Sequence, residues 1–354
     1  MINLKKLGLS ALAGSLVAVS AQAGEMAVTG SANVTYVNGE TENSSGSLGT
    51  DKDVGFTGTG ELDNGYTFVV STLLTDAYSL SSSYTSLTMG SMGTLNFGTD
   101  FGGASYKYDE EVPQAYEQVS DAAQTSANII GNNMDNNSVV YNSPSFDVSG
   151  GSISFDLEYA PQASGVSPAG DGSQVANSTT LGEGMGVGVT VKYAGLTAGA
   201  YANEVEAKST NATLARDSSE GVAYIKYAYG PVAVGVAHSY LDSGLAGAQA
   251  ATTAAKVVRT AAGVFYGTQA SIAYNVNDNM SVSYTNAVDK YDSQSAGAKT
   301  VEKETDAFQV AYSMGAMSVK AYRMQTKNPT YSLGTNALGD NDLNVTEIAL
   351  GLAF

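Results

Sequence analysis

Apolar residues occupy every second position over most of the chain after residue 24. The last stretch shows the pattern plainly, with four apolar residues separated by small or acidic ones: Ile348, Leu350, Leu352 and Phe354. Successive side chains of a strand point to opposite faces, so this alternation predicts strands with one apolar and one polar or small face. It predicts sixteen strands, at about 25–37, 52–62, 65–74, 80–89, 93–100, 137–143, 152–160, 184–193, 196–205, 220–229, 232–241, 257–274, 279–289, 304–313, 317–326 and 343–354.

The connections between these strands alternate between short and long. The short ones are tight-turn sequences such as Asp63-Asn64-Gly65, and Asn-Gly between alternating runs favours a hairpin. The long ones are rich in Ser, Gly, Asn and Ala, and the longest covers 101–136. All six prolines lie between predicted strands, where the missing N–H costs no ladder hydrogen bond: Pro113, Pro144, Pro161, Pro168, Pro231 and Pro329. An antiparallel meander follows, with short turns at one end and long loops at the other.

Composition indicates what surrounds the apolar faces. Charged residues make up 14% of the chain, against roughly 25% in an ordinary soluble domain. A soluble sandwich would need a charged outer face, whereas strands of about ten residues can cross a bilayer when they are tilted and closed into a barrel. Aromatic residues recur near predicted strand ends, as in an interfacial girdle: Tyr66, Tyr141, Tyr193, Tyr229, Tyr274, Tyr312 and Phe354. We therefore expect an all-β transmembrane antiparallel β-barrel with short periplasmic turns and long extracellular loops.

The N-terminus has the pattern of a secretory signal peptide. Lys5 and Lys6 precede an apolar run over 7–19, and Ala21-Gln22-Ala23 follows. A basic start, a short apolar segment and an A-x-A end are typical of a cleaved signal. We expect residues 1–23 to be removed and 24–354 to form the barrel. Cleavage removes two lysines, so the formal charge changes from −18 to −20.

Charge and side-chain inventory exclude several classes of function. An acidic chain lacks the basic surface that nucleic acid requires. With no Cys and with His238 as the single His, thiolate catalysis and the common zinc centres are excluded. The sequence contains neither a G-x-S-x-G elbow nor a P-loop, so we expect no enzyme and no cofactor. Calcium stays open as an alternative at two short Asp-rich turns that lack the full EF-hand spacing: Asp51-Lys52-Asp53 and Asp340-Asn341-Asp342.

Three features carry a resemblance to a known family. The final strand, Asn344 to Phe354, ends in an aromatic residue, the longest loop follows the fifth predicted strand, and that loop begins with Asp100-Phe101-Gly102-Gly103. From Gly24 to Phe354 the chain resembles the sixteen-stranded general diffusion porins of Gram-negative bacteria, particularly the alphaproteobacterial type. The resemblance implies passive diffusion of ions and small hydrophilic solutes through a homotrimer in the outer membrane, with lipid and lipopolysaccharide as neighbours. It also implies that Phe354 is an outer-membrane assembly signal.

In such porins the loop after the fifth strand folds into the barrel, and we call residues 101–136 the constriction loop. Apart from Lys107 its charged residues are acids: Asp109, Glu110, Glu111, Glu117, Asp121 and Asp135. Carboxylates at a constriction favour cations. The alternative is that these acids only solvate a surface loop.

The family usually sets such acids against basic residues on the opposite wall. If Phe354, Val191 and Val258 face lipid, alternation places Lys192 and Arg259 on the lumen side. Lys226 and Lys320 join them if their neighbours Ile225 and Val319 face lipid. These four basic residues are few, so the sequence predicts a wide, weakly size-selective and cation-preferring pore.

Two other functions stay open. A substrate-specific channel would use an aromatic track, for which Tyr106, Tyr108 and Tyr116 on the constriction loop are candidates. A structural or adhesive surface β-protein would account for the Ser/Gly/Ala-rich loops, but not for the terminal Phe or the sixteen alternating runs.

Overall fold

The computed structural model describes residues 24–39, 46–76, 79–99, 101–119, 126–163, 181–208, 216–244, 263–292, 294, 300–329, 331 and 342–354. The expected signal peptide, 1–23, lies outside these residues. The strands are β1 (Glu25–Gly39), β2 (Ser47–Glu61), β3 (Thr67–Thr75), β4 (Ser79–Thr88), β5 (Thr94–Thr99), β6 (Ser138–Asn142), β7 (Phe146–Val148), β8 (Gly151–Ala160), β9 (Leu181–Tyr193), β10 (Leu196–Ala207), β11 (Ser218–Tyr229), β12 (Val232–Asp242), β13 (Val264–Asn277), β14 (Met280–Asp292), β15 (Val301–Met314), β16 (Met317–Lys327) and β17 (Leu343–Ala353).

Strands pair antiparallel with their neighbours in sequence, and β17 pairs with β1, which closes the sheet into a barrel. β6 and β7 pair with successive parts of β8, so they are two halves of one wall strand. The interruption lies at 143–145, where Pro144 has no N–H to donate and the Ser143 Oγ accepts a hydrogen bond from Phe155 N at 2.7 Å. The wall therefore has sixteen strands, as the alternation predicts.

Several predicted boundaries differ from the observed strands. β2 begins at Ser47 and runs through Asp51-Lys52-Asp53, so this segment is part of a strand and not a turn. The predicted strand 257–274 begins at Val264 in the described part of the chain, and 257–262 lie outside it.

The two faces of the wall follow the predicted alternation. Val191, Ile225 and Val319 are on the outer face and are 40–50% exposed: 42%, 50% and 40%. The buried residues, by contrast, cluster inside the barrel, between the wall and the constriction loop. The described residues form no separate globular core outside the barrel. The buried side chains of the inner wall and of the loop therefore pack against each other and hold the loop in place.

The described residues include three short 3-10 turns, at Gly90–Met92, Ser105–Lys107 and Ser126–Ile129. Among the described residues, no helix is long and apolar enough to cross a membrane.

Candidate functional site: the pore constriction

The constriction loop connects β5 to β6, and its described residues, 101–119 and 126–136, lie inside the barrel. Ala104, Tyr108 and Ile130 are 0% exposed although they belong to a loop. Their neighbours include Tyr201 and Phe265, which point inward from β10 and β13. The predicted inward fold of the loop is confirmed.

Two glycines turn the chain into the lumen where the loop begins. Gly102 and Gly103 have φ of 84° and 57°, a left-handed backbone that costs glycine least. A side chain on Gly103 would collide with the Glu158 carboxylate. The same carboxylate accepts a hydrogen bond from Ala104 N at 3.1 Å. The Gly-Gly turn thus brings the loop backbone onto an acid of β8.

Wall carboxylates bind the loop backbone at two further points. Ser126 N donates to Asp289 Oδ2 at 2.7 Å, and Gly131 N donates to Glu220 Oε2 at 2.8 Å. A backbone N–H inside the barrel needs a partner, and these carboxylate oxygens supply one. Acids on β8, β11 and β14 therefore anchor the loop.

The middle of the loop is held by neutral side chains of β13, β14 and β15. Ala115 N donates to Ser283 Oγ at 2.9 Å, and Tyr116 N donates to Gln309 Oε1 at 2.8 Å. The Pro113 carbonyl accepts a hydrogen bond from the hydroxyl of Ser271. The loop thus follows the inner wall from β8 towards β17.

Tyr108 anchors the first part of the loop by its side chain. Its hydroxyl donates to Asp156 Oδ2 at 2.5 Å, and its ring stacks on that of Tyr201 with centroids 5.8 Å apart. Burial, and then the hydrogen bond to Asp156, raises the pKa of the Tyr108 phenol well above its usual value. Lys107 Nζ contacts the other oxygen of Asp156 at 2.7 Å. Tyr108 is therefore a neutral, buried donor.

Tyr116 anchors the middle of the loop by its side chain in the same way. Its hydroxyl donates to Glu347 of β17 at 2.5 Å, and its ring lies 5.8 Å from that of Tyr322. Lys320 Nζ sits 5.2 Å from the centre of the Tyr116 ring. Burial, followed by the hydrogen bond to Glu347, raises the pKa of Tyr116 well above its usual value.

The predicted acids of the loop occupy different environments. Asp109 is 8% exposed, while Glu110 and Glu117 are half-buried. Glu111 forms an ion pair with Lys226 of β11. Asp121 lies outside the described residues.

Two of the predicted basic residues, Lys226 and Lys320, contact the constriction loop itself. Lys192, Lys226 and Lys320 face the lumen by strand pairing, from β9, β11 and β16. The loop packs along this same arc of the wall. Arg259 lies outside the described residues. Sequence reasoning missed Lys303, which is 3% exposed and pairs in register with Asp289, because the predicted strand began one residue later.

The opposite arc, β1 to β5, is left uncovered. Its inward residues, such as Ser31 and Thr57, are half-exposed, whereas Gln269, Thr285 and Gln309 on the covered arc are at most 2% exposed: 2%, 0% and 1%. Water therefore reaches the lumen along β1–β5.

The charged side chains that face the lumen from the uncovered arc are acidic. Asp51 and Asp53 alternate inward on β2, and Asp53 Oδ2 accepts a hydrogen bond from Ser31 Oγ at 3.1 Å. Inward positions of the described strands β1–β5 carry no Lys or Arg, since Lys52 has the outward parity. Across the described residues, no three His, Asp or Glu side chains are grouped as metal ligands.

A profile of the Gram-negative porin family matches residues 8–313. The chain belongs to the Gram-negative porin family. Together with the closed barrel, this makes the protein a multi-pass outer-membrane β-barrel and a channel. No curated relative matches the chain by sequence.

Solved porin structures share the fold of this porin at low identity. Salmonella typhi OmpF in complex with daunomycin superposes with a TM-score of 0.69 at 14% identity, covering 94% of this chain and 98% of that one. Vibrio cholerae OmpT in its trimer form gives 0.64 at 14%, covering 94% and 100%. A triple mutant of Rhodopseudomonas blastica porin gives 0.53 at 13%, covering 93% and 100%.

Proposed function

We propose that this porin is a general diffusion channel for ions and small hydrophilic solutes and that it prefers cations. The observation that carries the proposal is the position of the loop. It covers the arc that holds Lys226, Lys303 and Lys320, and it leaves open the arc that holds Asp51 and Asp53.

The charged inward side chains of the uncovered arc then have one sign, that of Asp51 and Asp53. Lys226 is paired with Glu111 of the loop, and Lys303 is buried beside Asp289. A lumen lined by carboxylates raises the local concentration of cations. The proposal assigns the porin transport and no catalytic reaction, and it requires no cofactor.

A substrate-specific channel is the second candidate, and it is supported less. Of the three tyrosines proposed as an aromatic track, Tyr108 is buried and Tyr116 is half-buried, and both hydroxyls are bonded to wall acids. Tyr106 alone of the three is largely exposed, at 55%. The Tyr106 ring alone could stack on one solute, but a single ring does not form an aromatic track.

Reversal potentials in a planar bilayer under a salt gradient test the selectivity. Wild-type porin should be cation-selective, and Asp51→Asn with Asp53→Asn should reduce that preference. Asp306→Asn is the matched control, since Asp306 faces outward and bonds Tyr284 at 2.5 Å. Anion selectivity of the wild type would overturn the proposal.

Liposome swelling with sugars of increasing size separates general diffusion from a specific channel, which would admit one sugar out of size order.

We also propose a homotrimer in contact with outer-membrane lipid and lipopolysaccharide. The trimer form of Vibrio cholerae OmpT supports the assembly, and the exposed apolar outer face supports the lipid contact. Cross-linking in native membranes, followed by heat-modifiable gel migration, should give a band of three subunits. A monomer band alone would contradict the assembly.

A further inference from the structure

One residue of the connection after β16 also lies inside the barrel. Tyr331, in the connection from β16 to β17, is 3% exposed, and its hydroxyl donates to Asp289 Oδ2 at 2.8 Å. The connection is fixed near its start, where Asn328 Nδ2 donates to the Glu302 carbonyl at 2.9 Å. Tyr331 N in turn donates to the Asn328 carbonyl at 3.1 Å. A second loop thus places a side chain on the wall that carries the constriction loop.

An aromatic pocket receives the Tyr331 ring. The ring meets Phe265 edge-on at 5.7 Å and Tyr291 at 6.2 Å between centroids. Lys303 Nζ lies 4.9 Å from the ring centre. Such edge-on and cation–π contacts stabilise a ring in one orientation. Burial, together with the nearby Asp289 charge, raises the pKa of the Tyr331 phenol, which stays a neutral donor.

The backbone at this point is held in an unfavourable conformation. Asn328 and Tyr331 have φ of 49° and 53°. Left-handed φ is tolerated by Asn but is an outlier for a bulky residue. Such a residue keeps this conformation only while its surroundings hold it there. The contacts of the Tyr331 side chain therefore maintain a backbone that would otherwise relax.

Asp289 joins the two loops. It is 1% exposed and accepts from Tyr331 and from the constriction loop, where Ser126 N donates at 2.7 Å and Ser126 Oγ donates at 2.6 Å. Ser126 Oγ also contacts Ser239 Oγ of β12 at 2.8 Å. The segment that begins at Ser126 and the Tyr331 side chain thus share one buried carboxylate.

We propose that Tyr331 is a clamp that holds the constriction loop against β12–β14, so that release of the Tyr331 side chain makes the loop segment that begins at Ser126 mobile. With Tyr331 seated, Asp289 is shielded from water and its bonds to Ser126 are strong. With Tyr331 withdrawn, water reaches Asp289 and competes for those bonds, and the Ser126 segment exchanges between a docked and an undocked state. This inference rests on the proposed channel function.

The absence of cysteine from the chain allows a direct test. Ser126→Cys with Ser239→Cys places two thiols where the hydroxyls are in contact, and they form the one disulfide available to the variant. This double variant loses the Ser126 hydroxyl bond to Asp289 but keeps the Ser126 N bond, and it is the parent with which the Tyr331 variants are compared. Tyr331→Ala and Tyr331→Phe are each added to the parent. Single channels of the parent and of each variant are then recorded in planar bilayers, with the introduced disulfide either oxidised or reduced.

Reduced Tyr331→Ala should close several-fold more often than the reduced parent, and oxidation should abolish the difference. Tyr331→Phe, which keeps the ring and loses only the hydroxyl, should show a smaller increase and serves if the Ala variant does not assemble. Tyr284→Ala is the matched control, because Tyr284 makes an equivalent bond to Asp306 on the outer face. Parent-like gating of the reduced Tyr331 variants, or excess closures that persist after oxidation, would overturn the clamp. A wild-type protein that does not conduct would instead overturn the channel function.

Discussion

Phe354, the last residue, exchanges two backbone hydrogen bonds with Gly30. Gly30 N donates to the Phe354 carbonyl at 2.8 Å, and Phe354 N donates to the Gly30 carbonyl at 2.9 Å. The phenyl ring fills the space that a side chain on residue 30 would need. The pair stands at the end of the β1–β17 seam, which continues in register from Ser31 opposite Ala353. The terminal aromatic residue therefore contributes to closing the barrel.

Gly30→Val should destabilise this closure. The new side chain meets the Phe354 ring, but the ring is 66% exposed and can swing away. The expected loss is therefore at the low end for an overpacked site, about 1 kcal/mol. Gly58→Val is the control, because a Cβ on Gly58 meets nothing within 4 Å. The readout is the temperature at which the folded band disappears in heat-modifiable electrophoresis, and equal temperatures for the two variants would contradict the prediction.

The terminal position also predicts an effect on assembly. Phe354→Ala removes the ring but leaves both backbone bonds to Gly30 possible. If Phe354 is the assembly signal, as the family resemblance implies, less of the variant should reach the outer membrane, while refolding from urea into detergent should be nearly normal. Fractionated membranes and refolding yields are the two measurements. Equal loss in both would assign Phe354 to stability and not to assembly.

Tyr108→Phe should loosen the constriction loop. The change removes the donor to Asp156 Oδ2, while Lys107 and Asn142 both contact the other oxygen of that carboxylate. Leaving a buried acceptor unpaired costs about 1–3 kcal/mol. Tyr106→Phe is the control, because Tyr106 is 55% exposed. Urea unfolding in lipid vesicles measures the difference, and a Tyr108 variant as stable as the control would show that the bond is dispensable.

Much of the barrel could be predicted because strand alternation is a local signal. The sixteen wall strands follow from it, and so does the inward parity of Lys226 and Lys320. The predicted start of β2 is too late because of the local composition. Its first residues, including Asp51 and Asp53, have the composition of a loop, and pairing with β1 overrides that preference.

The arrangement of the constriction could not be predicted, because it depends on contacts between distant residues. Glu111 and Lys226 are 115 positions apart, and no pattern within either segment indicates the pair. The wall acids were visible as polar positions of strands, as with Glu158 on β8. Their use as acceptors for loop amides, such as that of Ala104, appears only when the loop lies on them.

The Glu111–Lys226 pair makes selectivity testable by a charge cycle. Glu111→Gln leaves Lys226 without this partner and should lower the cation preference. Lys226→Gln leaves the Glu111 charge uncompensated and should raise it. The double variant has the net charge of the wild type and should restore the wild-type reversal potential. Single variants that shift the potential in the same direction would show that loop displacement, and not charge, controls selectivity.

Alkaline pH should release the constriction loop through Tyr108 and Tyr116. Burial raises the pKa of both phenols in the folded protein, whereas in the unfolded chain they titrate near 10. Their contribution to stability is therefore complete below about pH 10 and falls as pH rises above it, by at most about 1.4 kcal/mol per pH unit for each tyrosine. Urea unfolding in vesicles between pH 9 and 12 should show the fall, and Tyr108→Phe with Tyr116→Phe should make it less steep, because Tyr331 still contributes. Tyr229→Phe, at a residue 77% exposed, should leave the slope as it is in the wild type. If the double variant keeps the full slope, other groups are responsible for the alkaline loss.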